Sequence, residues 1–235
     1  MRPRPRAGAS REWMAESTAP QGTPDTPERF VAALLAGDRR AAFAVVDEAL
    51  AAGTHLRELY LDVFQPALRE VGRLWESNRI TVADEHLATA ITQAAMGRLY
   101  ERLFTTSHPG DRLLIAACAD SERHEVGLRM LCDVLEMEGW DTAFLGPSVP
   151  IPDLVKMVSA REPDVVALSA SIAPHLPRVR AAVEALRASL GDRAPLIAVG
   201  GRAFHDDPGL AAQIGADFTA QDAVQAAREL KERFP

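Results

Sequence analysis

The alternation of short apolar runs with amphipathic stretches after residue 110 constrains the fold more than any other feature. Five apolar runs have the length of buried β-strands, at 112–117, 141–146, 164–170, 195–201 and 216–220. Helical patterns separate and follow them, at 124–138, 151–161, 175–189, 207–214 and 221–233. Continuous apolar strands alternating with helices are typical of a parallel sheet covered on both faces. Residues 111–235 are therefore predicted to form a doubly wound sheet of five parallel strands.

The preceding residues, 27–106, show only the spacing of helices. Glycines end the first two helical patterns. The third begins at Thr54, a plausible N-cap, and contains Pro66, which should kink it. The fourth opens with Thr81 and Asp84 at capping-box spacing. Four helices with short connections predict a bundle, so the expected α/β fold is a four-helix-bundle cap followed by a Rossmann-like (flavodoxin-like) five-stranded parallel sheet domain.

Composition narrows the class of protein further. Residues 1–26, rich in Pro, Arg, Ser and Thr, are expected to be a disordered tail, and 105–111 a linker. The net charge of −7 argues against a nucleic-acid-binding surface. Cys118 and Cys132 lack CxxC spacing, which disfavours a disulfide framework or zinc ribbon and fits a cytoplasmic location. No apolar run is long enough to span a membrane.

Polar residues and glycines cluster where three of the predicted strands end. They are Glu122, Arg123, His124 and Gly127 after the first strand, Ser169 and Ser171 at the third, and Gly200 and Gly201 at the fourth. Parallel sheets bind ligands at the carboxyl ends of their strands. Each group also has an ordinary explanation by itself, as a solvated helix start, a satisfied strand end or a turn.

Taken together, the three groups resemble the DxHxxG…SxL…GG signature of the cobalamin-binding family. Forty-one residues lie between Gly127 and Ser169, and 28 lie between Ser171 and Gly200. The chain departs from the signature twice. Glu122 stands in the Asp place and preserves a carboxylate, whereas Ser171 stands in the Leu place.

The resemblance implies a cobalamin whose dimethylbenzimidazole tail leaves the cobalt and enters a slot beside the sheet. His124 would then be the lower ligand of the metal, because imidazole is a ready axial ligand. Glu122 or Ser169 would lie behind it and fix its tautomer. The first glycine of the signature would clear the helix start, and the glycine pair would let the backbone approach the tail.

The helical half carries a second pattern, W-x9-EH, formed by Trp75, Glu85 and His86. It resembles the cap of adenosylcobalamin-dependent photoreceptors, which include light-regulated repressors. The resemblance implies that Trp75 stacks on the adenosyl group, that Glu85 accepts its ribose hydroxyls, and that His86 hydrogen-bonds nearby. The alternative is that Trp75 anchors the bundle core while Glu85 and His86 begin a solvated helix.

Two departures from those repressors matter. The residue after their tryptophan is a histidine that captures cobalt after photolysis, but here it is Glu76. His86, His108 or water would have to take that place. The repressors also carry a DNA-binding domain before the cap, which residues 1–26 are too short to encode, so no direct DNA binding is expected.

The resemblance therefore implies a stand-alone light sensor, not an enzyme, in which loss of the adenosyl group alters the cap and changes homo-oligomerisation or an effector protein. A photocobilin-like variant would add a linear tetrapyrrole such as biliverdin, held non-covalently because the cap has no cysteine. Three alternatives stay open: a corrinoid carrier for methyl transfer, a subunit of an isomerase, and a nucleotide-binding α/β domain.

The remaining histidines are expected to face solvent, with His205 also a candidate for the lining of the tail slot. They are His55, His108, His175 and His205.

Overall fold

A computed structural model describes residues 25–103, 111–205, 207 and 209–234, apart from the side chains of residues 101 and 103. The expected tail lies outside the described residues except for its last two positions, and the expected linker except for residue 111. The chain separates into two compact units, with the boundary between Gly97 and Arg98.

The N-terminal unit is helical. Its elements are α1 (Thr26–Leu35), α2 (Arg39–Ala51), α3 (Leu56–Glu58), a π-helical turn (Leu59–Phe64), α4 (Gln65–Glu76) and α5 (Val82–Leu103), the last of which continues into the second unit. Since α3, the π-helical turn and α4 form one continuous helix, the predicted set of four helices is confirmed. Its core includes Phe30 and Phe64, whose ring centroids lie 5.2 Å apart.

Helix ends in this unit follow capping chemistry. At the start of α5, the hydroxyl of Thr81 and the carboxylate of Asp84 satisfy each other's backbone N–H groups, which confirms the predicted capping box. The N-cap predicted at Thr54 is wrong by one residue. His55 is the N-cap, because the Glu58 carboxylate accepts its backbone N–H at 2.9 Å. The π-helical turn ends at Phe64, two residues before Pro66, which has no N–H to donate.

The C-terminal unit alternates strands and helices as predicted. Its elements are β1 (Leu113–Cys118), α6 (Val126–Met137), β2 (Asp141–Gly146), α7 (Ile151–Arg161), β3 (Val165–Ser169), α8 (Leu176–Leu190), β4 (Leu196–Gly200), α9 (Leu210–Gln213), β5 (Phe218–Thr219) and α10 (Ala223–Arg233). The strands are all parallel, in the order β2-β1-β3-β4-β5. This is the flavodoxin-like order, and the predicted fold class is confirmed.

Both faces of the sheet are buried, because successive strand side chains point to opposite sides. On β1, Leu114 and Ala116 pack into one apolar cluster, and Ile115 and Ala117 pack into the other. None of the described helices is long and apolar enough to cross a membrane.

The topology switches between β1 and β3. From β1 the chain proceeds to β2 on one side, and from β3 it proceeds to β4 and β5 on the other. The connections that leave the carboxyl ends of β1 and β3 therefore diverge, which opens a crevice of the kind in which doubly wound sheets bind ligands.

Candidate functional site

The three residue groups singled out in the sequence end neighbouring strands at one level. Cys118 at the end of β1 pairs in register with Ser169 at the end of β3, and Ser169 pairs with Gly200 at the end of β4. The hydrogen bonding continues past the strands, since the N–H of Ala119 donates to the Ser169 carbonyl at 3.2 Å. The structure thus brings the three groups to the same edge of the sheet.

A tight turn after β1 directs Glu122 inward. Ser121 has a φ of 74°, and the backbone N–H of Glu122 donates to the Ala119 carbonyl at 2.8 Å. As a result the Glu122 side chain is completely buried, while the side chain of His124, two residues later, is 45% exposed. Arg123 between them is exposed.

The Glu122 carboxylate is the centre of a hydrogen-bond network. Its Oε1 accepts from the backbone N–H groups of Arg123 and His124, both at 2.8 Å, and faces His124 Nδ1 at 2.5 Å. Its Oε2 accepts from the backbone N–H of Ser171 at 2.7 Å and faces His175 Nδ1 at 2.9 Å. Burial alone would raise the pKa of Glu122, but these hydrogen bonds, those from His124 first, outweigh it and hold the pKa well below its ordinary value.

This network suits a histidine that ligates a metal. A carboxylate can only accept, so His124 keeps a proton on Nδ1 and would present Nε2 to a ligand. Of the two residues expected behind His124, Glu122 contacts the ring. Ser169, which is 5% exposed, is the last residue of β3. Among the described residues no cluster of three or more His, Cys, Asp or Glu could hold a metal ion. If the metal is the cobalt of a corrinoid, as the resemblance implies, the corrin ring would supply most of its ligands and one imidazole from the protein would suffice.

The glycines of the signature differ in what they make room for. A Cβ at Gly127 or Gly200 would meet nothing within 4 Å, so both border open space that a ligand could enter. Gly201 is different. Its φ is +96°, and a Cβ there would overlap the Ala170 carbonyl, with the carbonyl carbon at 2.8 Å. The chain itself, rather than a ligand, requires glycine at this position.

Two details of the edge were not foreseen. Ser171 contacts Glu122 through its backbone N–H, so this contact does not depend on the side chain that replaces the Leu of the signature. The expectation that His175 faces solvent is wrong, because its side chain is 18% exposed and bonds Glu122. His175 follows β3, the neighbour of β1 in the sheet, and that adjacency was the available signal. His55 is exposed, His205 is half-buried, and His108 lies outside the described residues.

Comparison with known protein families identifies the family of this chain. Residues 27–100 and residues 112–230 each match a family described as a B12 binding domain. The chain belongs to the B12-binding domain family. It is a cobalamin-binding protein. Two features of the site fit a cobalt corrinoid: the exposed imidazole of His124, which a buried carboxylate orients, and the open space at Gly127 and Gly200.

Relatives of this B12-binding protein fall into two groups. The HTH-type transcriptional repressor CarH of Myxococcus xanthus is 37% identical over 142 residues, which are 60% of this chain and 46% of the repressor. The chain thus spans about half the length of that relative. Trimethylamine corrinoid protein 1 of Methanosarcina acetivorans is 25% identical over 200 residues, 83% of this chain and 90% of its own length.

A solved structure supports the fold of this B12-binding chain. The monomethylamine corrinoid protein of Methanosarcina barkeri superposes with a TM-score of 0.80 at 20% identity, covering 89% of this chain and 98% of that protein. At this identity the likeness shows the fold alone.

In the helical B12-binding unit, Trp75 and His86 are exposed, whereas the side chain of Glu85 is 17% exposed. Trp75 is 38% exposed, which disfavours the alternative that it anchors the bundle core. The carboxylate of Glu85 lies 2.6 Å from Nδ1 of His86 and accepts the Thr89 hydroxyl at 3.0 Å. A carboxylate has further lone pairs, so Glu85 can still accept another donor. Glu76, which follows the tryptophan, is exposed.

Proposed function

We propose that this protein is a cobalamin-dependent light sensor that holds adenosylcobalamin through His124 as the lower ligand of cobalt. The observation that carries the proposal is the pairing of His124 with the buried Glu122 at the switch point of the sheet. Glu122 holds a proton on Nδ1 of His124, and Nε2 is left with the lone pair that cobalt needs. Gly127 and Gly200 leave room for the corrinoid, and Ser169 and Gly201 lie at the same edge of the sheet.

The role in light sensing is supported by the helical unit. Adenosylcobalamin, when bound, supplies a cobalt–carbon bond that visible light breaks. Trp75 offers an exposed indole face for stacking on the adenosyl group, Glu85 accepts its ribose hydroxyls, and His86 hydrogen-bonds beside them. Loss of these contacts in the light would change a surface used for self-association or for an effector protein. Because Glu76 stands in place of a histidine, His86, His108 or water would have to bind cobalt after photolysis.

The ligand assignment is tested with the variant His124→Ala. Purified protein mixed with adenosylcobalamin in darkness should show the spectrum of histidine-ligated cobalt, and the variant should lose that spectrum and bind more weakly. Mutation of a group that only hydrogen-bonds to a metal ligand typically weakens metal binding roughly 10–100-fold. Loss of the ligand itself should weaken cobalamin binding at least as much. An unchanged spectrum and affinity in the variant would overturn the assignment.

The sensor function is tested by absorbance spectra and size-exclusion chromatography before and after green light. We expect both the spectrum and the elution volume to change, since the proposal couples the cofactor to the protein surface. If the spectrum changes but the elution volume does not, the signal would pass to an effector protein instead of to self-association. Binding of candidate partner proteins before and after light would then test that output. An additional absorbance band beyond about 600 nm would indicate a linear tetrapyrrole as a second chromophore.

The second candidate is a corrinoid carrier for methyl transfer. It is favoured by the extent of the match to trimethylamine corrinoid protein 1, which covers 83% of this chain against 60% for CarH. A carrier has no use for recognition of the adenosyl group. Equal affinities for adenosylcobalamin and methylcobalamin, together with no response to light in spectrum or size, would therefore favour the carrier.

A further inference from the structure

We infer that His175 is a positioning residue for the cobalt ligand, acting through the second oxygen of Glu122. The three side chains form a His124–Glu122–His175 relay, in which one carboxylate joins two imidazoles. This inference rests on the proposed role of His124. It adds a residue that lies outside the signature and that belongs to a different loop.

His175 reaches the relay from the far side of the switch point. It ends a short 3-10 turn, Ala173–His175, directly before α8, and its backbone N–H donates to the Ile172 carbonyl at 3.0 Å. From there its mostly buried side chain places Nδ1 2.9 Å from Oε2 of Glu122. Because the carboxylate accepts, Nδ1 of His175 must carry a proton.

The two oxygens of Glu122 are held from two different connections. The donors to Oε1 belong to residues 123 and 124, in the connection after β1. The donors to Oε2 are Ser171 and His175, in the connection after β3. The last torsion of a glutamate side chain is broad and weakly fixed by itself. The pair of donors on Oε2 therefore sets the carboxylate plane, and through it the direction of the His124 ring.

One departure from the family signature, glutamate in place of aspartate, lies at this contact. Glu122 is one methylene longer than the aspartate of the signature, which carries its carboxylate farther from the β1 connection. At that greater reach the structure supplies the mostly buried imidazole of His175, from the β3 connection. A glutamate in place of the aspartate of the signature would extend the carboxylate farther from the backbone. In this chain His175 donates a hydrogen bond to the carboxylate at that distance.

The role of His175 is tested with three substitutions at one position. In His175→Asn the amide nitrogen replaces Nδ1, so the donor is kept. In His175→Gln the amide nitrogen lies where Nε2 of the histidine would lie, so it does not replace the Nδ1 donor to Glu122. In His175→Leu there is no donor. Titration with adenosylcobalamin in darkness should show about tenfold weaker binding for Gln and Leu, the lower end of the range for outer-shell groups. The Asn variant should stay close to the wild type.

A double-mutant cycle with His124→Ala separates positioning from a general structural role. If His175 acts through His124, then His175→Leu or His175→Gln should weaken binding in the wild-type background and have almost no effect when His124 is already alanine. An equal loss in both backgrounds, or no loss in either, would overturn the inference. If His175→Leu does not fold, the cycle can be measured with His175→Gln, whose side chain is polar.

A measurement without cobalamin tests the contact by itself. In protein labelled with ¹⁵N-histidine, the ring correlations should show both His124 and His175 with the proton on Nδ1, and Glu122→Gln should change both rings together. A His175 ring that averages between tautomers in the wild type would overturn the relay. If wild type and His124→Ala bind cobalamin equally, the assignment of His124 as the ligand is wrong. The ring correlations would still test whether Glu122 contacts both histidines.

Discussion

At the level of single residues, two buried glutamates in the C-terminal unit have opposite surroundings. Glu122 is completely buried, but both of its oxygens accept hydrogen bonds. Glu136 is 8% exposed; its Oε1 accepts the Thr142 hydroxyl at 2.6 Å, and its Oε2 is buried with no hydrogen-bond partner among the described residues. Hydrogen bonds lower the pKa of Glu122, whereas burial raises the pKa of Glu136.

Glu122→Gln should destabilise the protein at neutral pH by about 2 kcal/mol, because an amide NH2 would face N–H donors that need an acceptor. The folded pKa of Glu122 lies below its unfolded value, so the ionised carboxylate stabilises the fold above the ordinary carboxyl pKa. That contribution is lost as the pH falls toward the folded value. Denaturant unfolding of wild type and variant should show a difference in free energy that shrinks from pH 7 toward acid.

Glu136→Gln is the matched comparison, with the opposite sign. The folded pKa of Glu136 is raised, so the wild type loses stability as the pH rises through that value. Removal of the charge should make the variant as stable as the wild type or more stable at pH 8, with the advantage disappearing in acid. If both variants were destabilised alike at every pH, the contrast between the two sites would be wrong.

At the level of the elements, the exit from β4 shows that adjacent glycines serve different purposes. Gly201→Ala should destabilise the protein by about 2 kcal/mol or more, because a positive φ and the Ala170 carbonyl both oppose a Cβ. Gly200→Ala places its Cβ in open space and should cost less than about 1 kcal/mol.

The same pair of variants tests where the cofactor lies. If the tail of cobalamin packs against β4, Gly200→Ala should weaken cobalamin binding several-fold while its unfolding curve stays near that of the wild type. Thermal unfolding without cofactor and titration with it measure the two effects separately. Unchanged affinity in Gly200→Ala would place the tail elsewhere.

At the level of the whole molecule, selectivity for the adenosyl form should depend on the helical unit and cobalamin affinity on the sheet unit. Trp75→Ala should keep cobalamin binding but lose the preference for adenosylcobalamin over methylcobalamin, because the exposed indole is the proposed stacking surface. Met157→Ala is the control, since Met157 on α7 is 37% exposed and Trp75 is 38% exposed. Titration of each variant with both cobalamins measures the preference, and an unchanged preference in Trp75→Ala would reject its role.

Much of this organisation could be predicted because it depends on local pattern. The apolar runs predicted all five strands of the sheet, and helical spacing predicted the helices between them. Parallel strands end at one edge, so the motifs after β1, β3 and β4 were expected to meet, as the in-register pairing of Cys118, Ser169 and Gly200 confirms.

What the sequence by itself determined was therefore the order of elements, the fold class and the edge of the sheet that carries the cobalamin signature. Only the tertiary structure decided which group contacts His124, that Ser171 contributes its backbone, and that His175 turns inward to Glu122. The physical reason is the range of the interactions. Strand and helix patterns act between near neighbours in the chain, whereas the direction of the Glu122 side chain depends on the turn at Ser121 and on donors from a loop about 50 residues away.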